Sequence, residues 1–191
     1  MLKLRVKTRG DWLAAVEANL AEFLRDHAHN ERKVAQAALT LAAHHPNHTH
    51  LTDAMTDLAR EELGHFKQVH ALLVERGLEL GYDEPDPYMT QLHREIRRQR
   101  SQDYLLDRLI IFGIVEARGC ERFHILGTSL SDEALRSFYA GLARAEARHH
   151  ALFIRLAKSI FPEDLVAARV DTILGREAEL VSSLPLRPAL H

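Results

Sequence analysis

The chain has 191 residues, 46% of them hydrophobic and 27% charged, with a formal net charge of −2. That balance belongs to an ordinary globular domain and excludes a polycation that grips nucleic acid by bulk charge alone. The single cysteine, Cys120, excludes an intrachain disulfide and a paired-cysteine metal site, and it fits a reducing, cytoplasmic compartment. The longest apolar run, Leu109 to Val115, is too short to span a bilayer, so no membrane association is expected.

Residues 1–9 alternate apolar Leu2, Leu4 and Val6 with basic Lys3, Arg5, Lys7 and Arg9, the pattern of an extended arm. A first helix is expected from Asp11, as N-cap, to about Ala43. Its stripe runs Leu20, Leu24, His27, Glu31, Val34, Ala38, Leu41, in steps of four and three. Pro46 and Asn47 break it, in a loop crowded by His44, His45, His48 and His50. The second helix should begin at Asn47 or Leu51 and end at Arg76 before Gly77, with the stripe Leu51, Met55, Leu58, Glu62, His65, Val69, Leu72.

Residues 77–100 carry Gly77, Gly81, Pro85 and Pro87 and read as a long crossover with a short helix between Tyr88 and Arg100. The third helix is expected from Ser101 as N-cap to Gly127, with the stripe Leu105, Leu109, Phe112, Glu116, Gly119, Phe123, Leu126. The fourth starts at Ser131 and stops at Pro162, with the stripe Leu135, Tyr139, Leu142, Glu146, His149, Phe153, Leu156. A fifth helix follows from Glu163 to about Leu180, and the last ten residues read as a tail. No linker separates domains, so one domain over 1–191 is expected.

Each of the four stripes carries a glutamate at its middle. Two of them add a histidine three residues later, in Glu62-Leu63-Gly64-His65 and Glu146-Ala147-Arg148-His149. Glu31 precedes the first motif by 31 residues and Glu116 precedes the second by 30. Buried carboxylates without partners are costly, and four of them converging would repel one another. Two divalent ions balance four carboxylates and two neutral imidazoles in charge. Carboxylate oxygen with imidazole nitrogen suits iron or manganese. A glutamate from each of two helices plus Glu-x-x-His from each of two others is the ligand pattern of ferritin-like bundles with two iron ions. The expectation is therefore all-α: a ferritin-like four-helix bundle with a long helix 2–3 crossover and an additional C-terminal helix. Its metal ligands would be Glu31, Glu62, His65, Glu116, Glu146 and His149. His27 falls on the stripe of Glu31 and reads as a supporting histidine. Cys120 reads as a packing residue.

The stretch Glu116-Ala117-Arg118-Gly119-Cys120-Glu121-Arg122-Phe123, with Ala59 to Phe66 and Ala145 to His150, resembles the MiaE family of tRNA hydroxylases. The resemblance implies a non-haem di-iron monooxygenase that hydroxylates the isopentenyl group of 2-methylthio-N6-isopentenyladenosine beside the anticodon of tRNA. It implies two iron ions on the six residues above, dioxygen as co-substrate, and an external electron-donor protein, a reductase or ferredoxin. The alternative within the same fold is a rubrerythrin- or bacterioferritin-like protein that handles peroxide or stores iron. For RNA contact, the densest basic run offers Arg94, Arg97, Arg98 and Arg100.

Overall fold

The computed structural model describes residues 3–191. Among these residues the secondary structure is entirely helical: α1 (Trp12–Ala18), α2 (Leu20–His44), α3 (Thr49–Glu75), α4 (Pro87–Leu92) with a 3-10 turn (His93–Glu95), α5 (Ser101–Ser129), α6 (Glu133–Ile160) and α7 (Glu163–Ser183). No described helix is long and apolar enough to cross a membrane. The chain forms two compact units, a hairpin unit of Val16–Glu84 with Pro188–Leu190, and a larger unit of Pro85–Arg187 with His191 and the residues up to Ala15.

The hairpin unit is built on α2 and α3. The four-and-three spacing buries Leu24, His27, Glu31, Ala38 and Leu41 on α2, and Leu51, Met55, Leu58, Glu62, His65 and Val69 on α3. Leu20, Val34 and Leu72, at the margins of the stripes, keep partial exposure. The expected single first helix is two helices. Asn19 leaves helical geometry at φ −136°, ψ 46°, which separates α1 from α2. Gly77, at φ +68°, adopts the left-handed conformation that closes α3, and the amide of Leu78 reaches back to the Leu73 carbonyl at 2.9 Å. Residues 188–190 join this unit through the Leu190 amide, which donates to Asp26 Oδ2 at 2.7 Å.

In the larger unit α5 and α6 form the core pair, and every residue of their two predicted stripes is buried. Gly127 permits a close approach, because a Cβ there would lie 2.7 Å from the Ala140 amide nitrogen. Asp132, rather than Ser131, caps α6 by accepting from the Leu135 amide at 3.0 Å. Arg100, rather than Ser101, is the N-cap of α5 and makes no side-chain cap bond. The crossover helix is shorter than expected and ends at Leu92, before the 3-10 turn. The helix α7 runs a little further than the expected Leu180.

Residues 3–9 are non-helical, as the alternation suggests; Leu2 lies outside the described residues. Thr8 donates through its amide to Glu121 at 3.1 Å, and the Val6 carbonyl accepts from Arg118 at 2.8 Å, which ties this arm to α5. Arg118 is fully buried, and its Nε donates to the equally buried Glu177 of α7 at 2.9 Å. Tyr88 donates its hydroxyl to the same carboxylate at 3.3 Å. Breaking such a pair from one side would strand a buried charge, at a cost of about 3–5 kcal/mol.

Candidate metal centre

The hairpin unit places Glu31, Glu62 and His65 together. One ligand atom from each lies within 4.8 Å of the others, and all three side chains are buried. Glu62 and His65 meet because residues three apart share a helix face; His65 Nδ1 is 3.0 Å from Glu62 Oε2. The same nitrogen is 3.7 Å from Glu31 Oε2. His27, one turn before Glu31, is fully buried and shares a 2.6 Å hydrogen bond between its Nε2 and Glu31 Oε1. Burial by itself would raise the Glu31 pKa, but hydrogen bonds from His27 and His65 prevail and hold it at about 2. Burial would likewise lower His65, and its hydrogen bonds to Glu31 and Glu62 instead raise it to about 10. The triad holds negative charge firmly and gathers positive charge to match it.

The larger unit places Glu116, Glu146 and His149 together in the same way, with one ligand atom from each within 4.8 Å of the others. Again all three are buried. Their surroundings are more apolar: α5 is buried on nearly every side from Leu105 to Gly119. His149 Nδ1 lies 3.5 Å from Glu146 Oε2, beyond good hydrogen-bond length. That oxygen is shielded from solvent and has no hydrogen-bond partner. A buried carboxylate oxygen left in this state is costly unless a cation meets it. The donor set of each triad, two carboxylates and one imidazole, is the hard-to-borderline mixture that suits iron or manganese.

Residue by residue, the six expected ligands therefore fall into two buried triads, one in each unit. His27 supports Glu31 directly. Cys120 is half-buried; its Sγ lies 3.4 Å from the Ala143 carbonyl and burial raises its pKa, so it is packed and protonated. His150, off the stripe, is nonetheless buried. Of the four arginines in the basic run, Arg94, Arg98 and Arg100 are exposed. Arg97 is engaged inside the larger unit: its Nη2 donates to the buried Asp107 at 2.8 Å and its Nη1 lies 3.3 Å from Asp103.

Comparison with known proteins decides the family. The profile of the family described as tRNA-(MS2IO6A)-hydroxylase (MiaE) matches residues 2–191. The chain belongs to the MiaE family. One curated MiaE relative, the tRNA 2-(methylsulfanyl)-N(6)-isopentenyladenosine(37) hydroxylase of Pseudomonas putida, is 38% identical over 172 residues, 90% of this chain and 83% of the relative. The enzyme of the same name from Salmonella typhimurium is 38% identical over 133 residues, 70% of this chain and 48% of that one. Among solved structures, a Synechococcus protein with aldehyde deformylating oxygenase activity superposes with a TM-score of 0.94 at 34% identity, over 100% of this MiaE-family chain and 96% of that one. The fold class is thus all-α and ferritin-like, as the stripes imply.

Proposed function

We propose that the chain is a non-haem di-iron monooxygenase that hydroxylates the isopentenyl group of 2-methylthio-N6-isopentenyladenosine in tRNA, beside the anticodon. The observation that carries this reading is the pair of buried two-glutamate, one-histidine triads in a chain matched by the hydroxylase family along residues 2–191. In this reading residues 1–191 are a single ferritin-like domain. Glu31, Glu62, His65, Glu116, Glu146 and His149 would hold two ferrous ions, whose charge of +4 would balance four carboxylates. When bound, the ions supply the reduction of dioxygen and the oxidation of an unactivated C–H bond, chemistry that no side chain supplies alone.

The residues of the chain do the rest. The glutamates would hold the ions and balance their charge. His27 orients Glu31 through its 2.6 Å hydrogen bond. The apolar side chains of α5 exclude water from the Glu116 side. The overall balance is one C–H bond, one dioxygen, two electrons and two protons giving one C–OH and one water. No cysteine pair for an iron–sulfur centre is present in the sequence, so the electrons come from a separate donor protein, a reductase or ferredoxin. The enzyme works in the cytoplasm, where its tRNA substrate is found.

The test is to incubate iron-loaded protein with dioxygen, a competent electron donor and tRNA bearing the isopentenyl modification, then weigh the nucleosides. A gain of one oxygen on the modified adenosine is expected. The likeness to a deformylating oxygenase motivates a second substrate in parallel, a long-chain aldehyde. Loss of the aldehyde's formyl carbon with the tRNA untouched would reassign the substrate.

A further inference from the structure

Around the start of α5 the larger unit carries positive charge that no neighbouring acid balances. Arg108 is half-buried, with its guanidinium 4.6 Å from the centroid of the Phe112 ring and 6.0 Å from that of Tyr104. Its Nε is shielded from solvent and has no hydrogen-bond partner. Among the described residues no acidic side chain pairs with it. Burial pushes the Arg108 pKa down; Tyr104 opposes this, and the charge of Arg98 adds to it. His93 is pushed down by burial and by Arg108 and Arg98; Asp86 acts on it in the opposite sense, more weakly, while its Oδ1 accepts from the Met89 amide.

The contrast with Arg97 is informative. That guanidinium and the one of Arg169 close on the buried Asp107, with bonds of 2.8 Å from Arg97 Nη2 and 2.8 Å from Arg169 Nε. Their charge is neutralised inside the fold. The charge of Arg108 is not, and the exposed Arg98 adds to it beside a His93 that burial and both arginines hold toward its neutral form. A guanidinium held half out of water beside another positive charge costs free energy, and an anion that enters between them recovers it. A guanidinium seated on an aromatic face keeps its N–H edge free, and that fork matches the oxygens of a phosphate.

Position narrows the anion. Arg108, Phe112 and Glu116 follow one another in steps of four on α5, so two helical turns, about 12 Å, separate the cation from the metal-binding glutamate. Phe112 stacks on Phe153, with centroids 5.1 Å apart, and Phe153 stands four residues after His149. An aromatic pair thus lies between the cationic cluster and the Glu116, Glu146 and His149 triad. A purine nucleotide whose N6 substituent reaches that triad carries its backbone phosphate at a comparable remove. We propose that Arg108, together with Arg98 and His93, binds a backbone phosphate of the substrate tRNA close to the modified adenosine. The proposal rests on the tRNA-hydroxylase reading and adds to it the contact that sets the depth of the base.

The experiment uses iron-loaded full-length protein, modified tRNA, and the variants Arg108→Gln, Arg108→Lys and Arg98→Gln. Hydroxylation kinetics are measured alongside the dissociation constant of the modified anticodon stem-loop between roughly 50 and 200 mM salt. Arg108→Gln should raise KM and Kd about tenfold, with the effect falling on KM rather than kcat. Its plot of log affinity against log salt should lose about one unit of slope. Arg108→Lys should keep the slope and recover part of the affinity. Arg98→Gln, at an exposed position, should move both quantities in the same direction by a smaller factor. If the wild type hydroxylates tRNA while folded Arg108→Gln and Arg98→Gln keep its KM and salt slope, the phosphate site is wrong and the hydroxylase reading stands. If Arg108→Gln does not fold, an unchanged KM and slope in Arg98→Gln overturns the site by itself. A wild type that neither binds nor hydroxylates the tRNA overturns both, and that result is distinct from the first.

Discussion

The two triads have the same composition and hold their charge differently. In the hairpin unit, Glu31 shares a 2.6 Å hydrogen bond with His27, so a proton on nitrogen already answers its charge. In the larger unit His149 Nδ1 stands 3.5 Å from Glu146 Oε2, and that oxygen has no hydrogen bond. A carboxylate held by histidine protons can be kept in place before metal arrives. A buried carboxylate lacking those protons is stabilised chiefly by the metal itself. Glu31 is thus the preorganised carboxylate of the hairpin triad, and Glu146 gains most from loading.

The largest break in that comparison comes from removing a ligand. Glu116→Ala and Glu146→Ala should each lower hydroxylation by roughly a hundredfold or more, since even residues that merely support metal ligands cost 10–100-fold when lost. Metal analysis should show iron retained better in these two variants than in Glu31→Ala, if Glu31 is the preorganised carboxylate. Next in size, His27→Gln leaves all six ligands in place yet loosens Glu31. Iron affinity should fall about 10–100-fold with a smaller change in turnover, as read by chelator competition. Gly127→Ala forces a methyl against the backbone of Ala140. It should lower unfolding free energy by about 1–3 kcal/mol in denaturant titration while leaving the hairpin ligands unaffected.

The pH dependence of the metal-free protein sharpens the contrast further. His65 is raised to about 10, above its ordinary 6.5, so the stability it contributes is full below about pH 6.5 and is lost as pH rises toward 10. Glu31 is lowered to about 2 from 4.5, so its contribution is present above pH 4.5 and is lost as pH falls toward 2. Melting temperatures of the apo-protein should decline on both sides, and His65→Gln should flatten the alkaline side. Iron loading should flatten it too, because a metal-bound imidazole has no proton left to lose there. The smallest effect is expected at Leu63, the exposed neighbour of Glu62. Leu63→Ala should change stability by less than about 0.5 kcal/mol, measured by the same titration.

The helical stripes were legible because burial on a helix repeats every three to four residues, and the metal ligands sit in phase with that repeat. Glu62 is in phase with the stripe of its helix and its neighbour Glu61 is not, and burial divides them in the same way. Local chemistry was less informative about boundaries. Ser131 and Asp132 are both good caps, and only backbone geometry chooses the aspartate. The break at Asn19 has no proline or glycine to announce it. The basic run shows the deeper limit. Arg97 and Arg98 are adjacent and alike in sequence, but Arg97 is absorbed by Asp107, which also binds Arg169 from α7. Partners 62 residues apart in sequence leave no periodic trace. Arg108, half-buried on an aromatic ring, was hidden for the same reason, inside a helix that reads as core.

The hydrogen bond from Leu190 to Asp26 fixes an order of events during synthesis. Residues 188–190 belong with the hairpin, and they leave the ribosome only after all of the larger unit's helices have been made. The α2 and α3 pair can form early, but its contacts with residues 188–190 arrive only after α7 has been made. The larger unit, by contrast, waits for α7 to cover Arg118 with Glu177. The hairpin triad, on α2 and α3, can therefore assemble before Glu116, Glu146 and His149 have been made, and the contacts of Glu177 and of residues 188–190 are added afterwards.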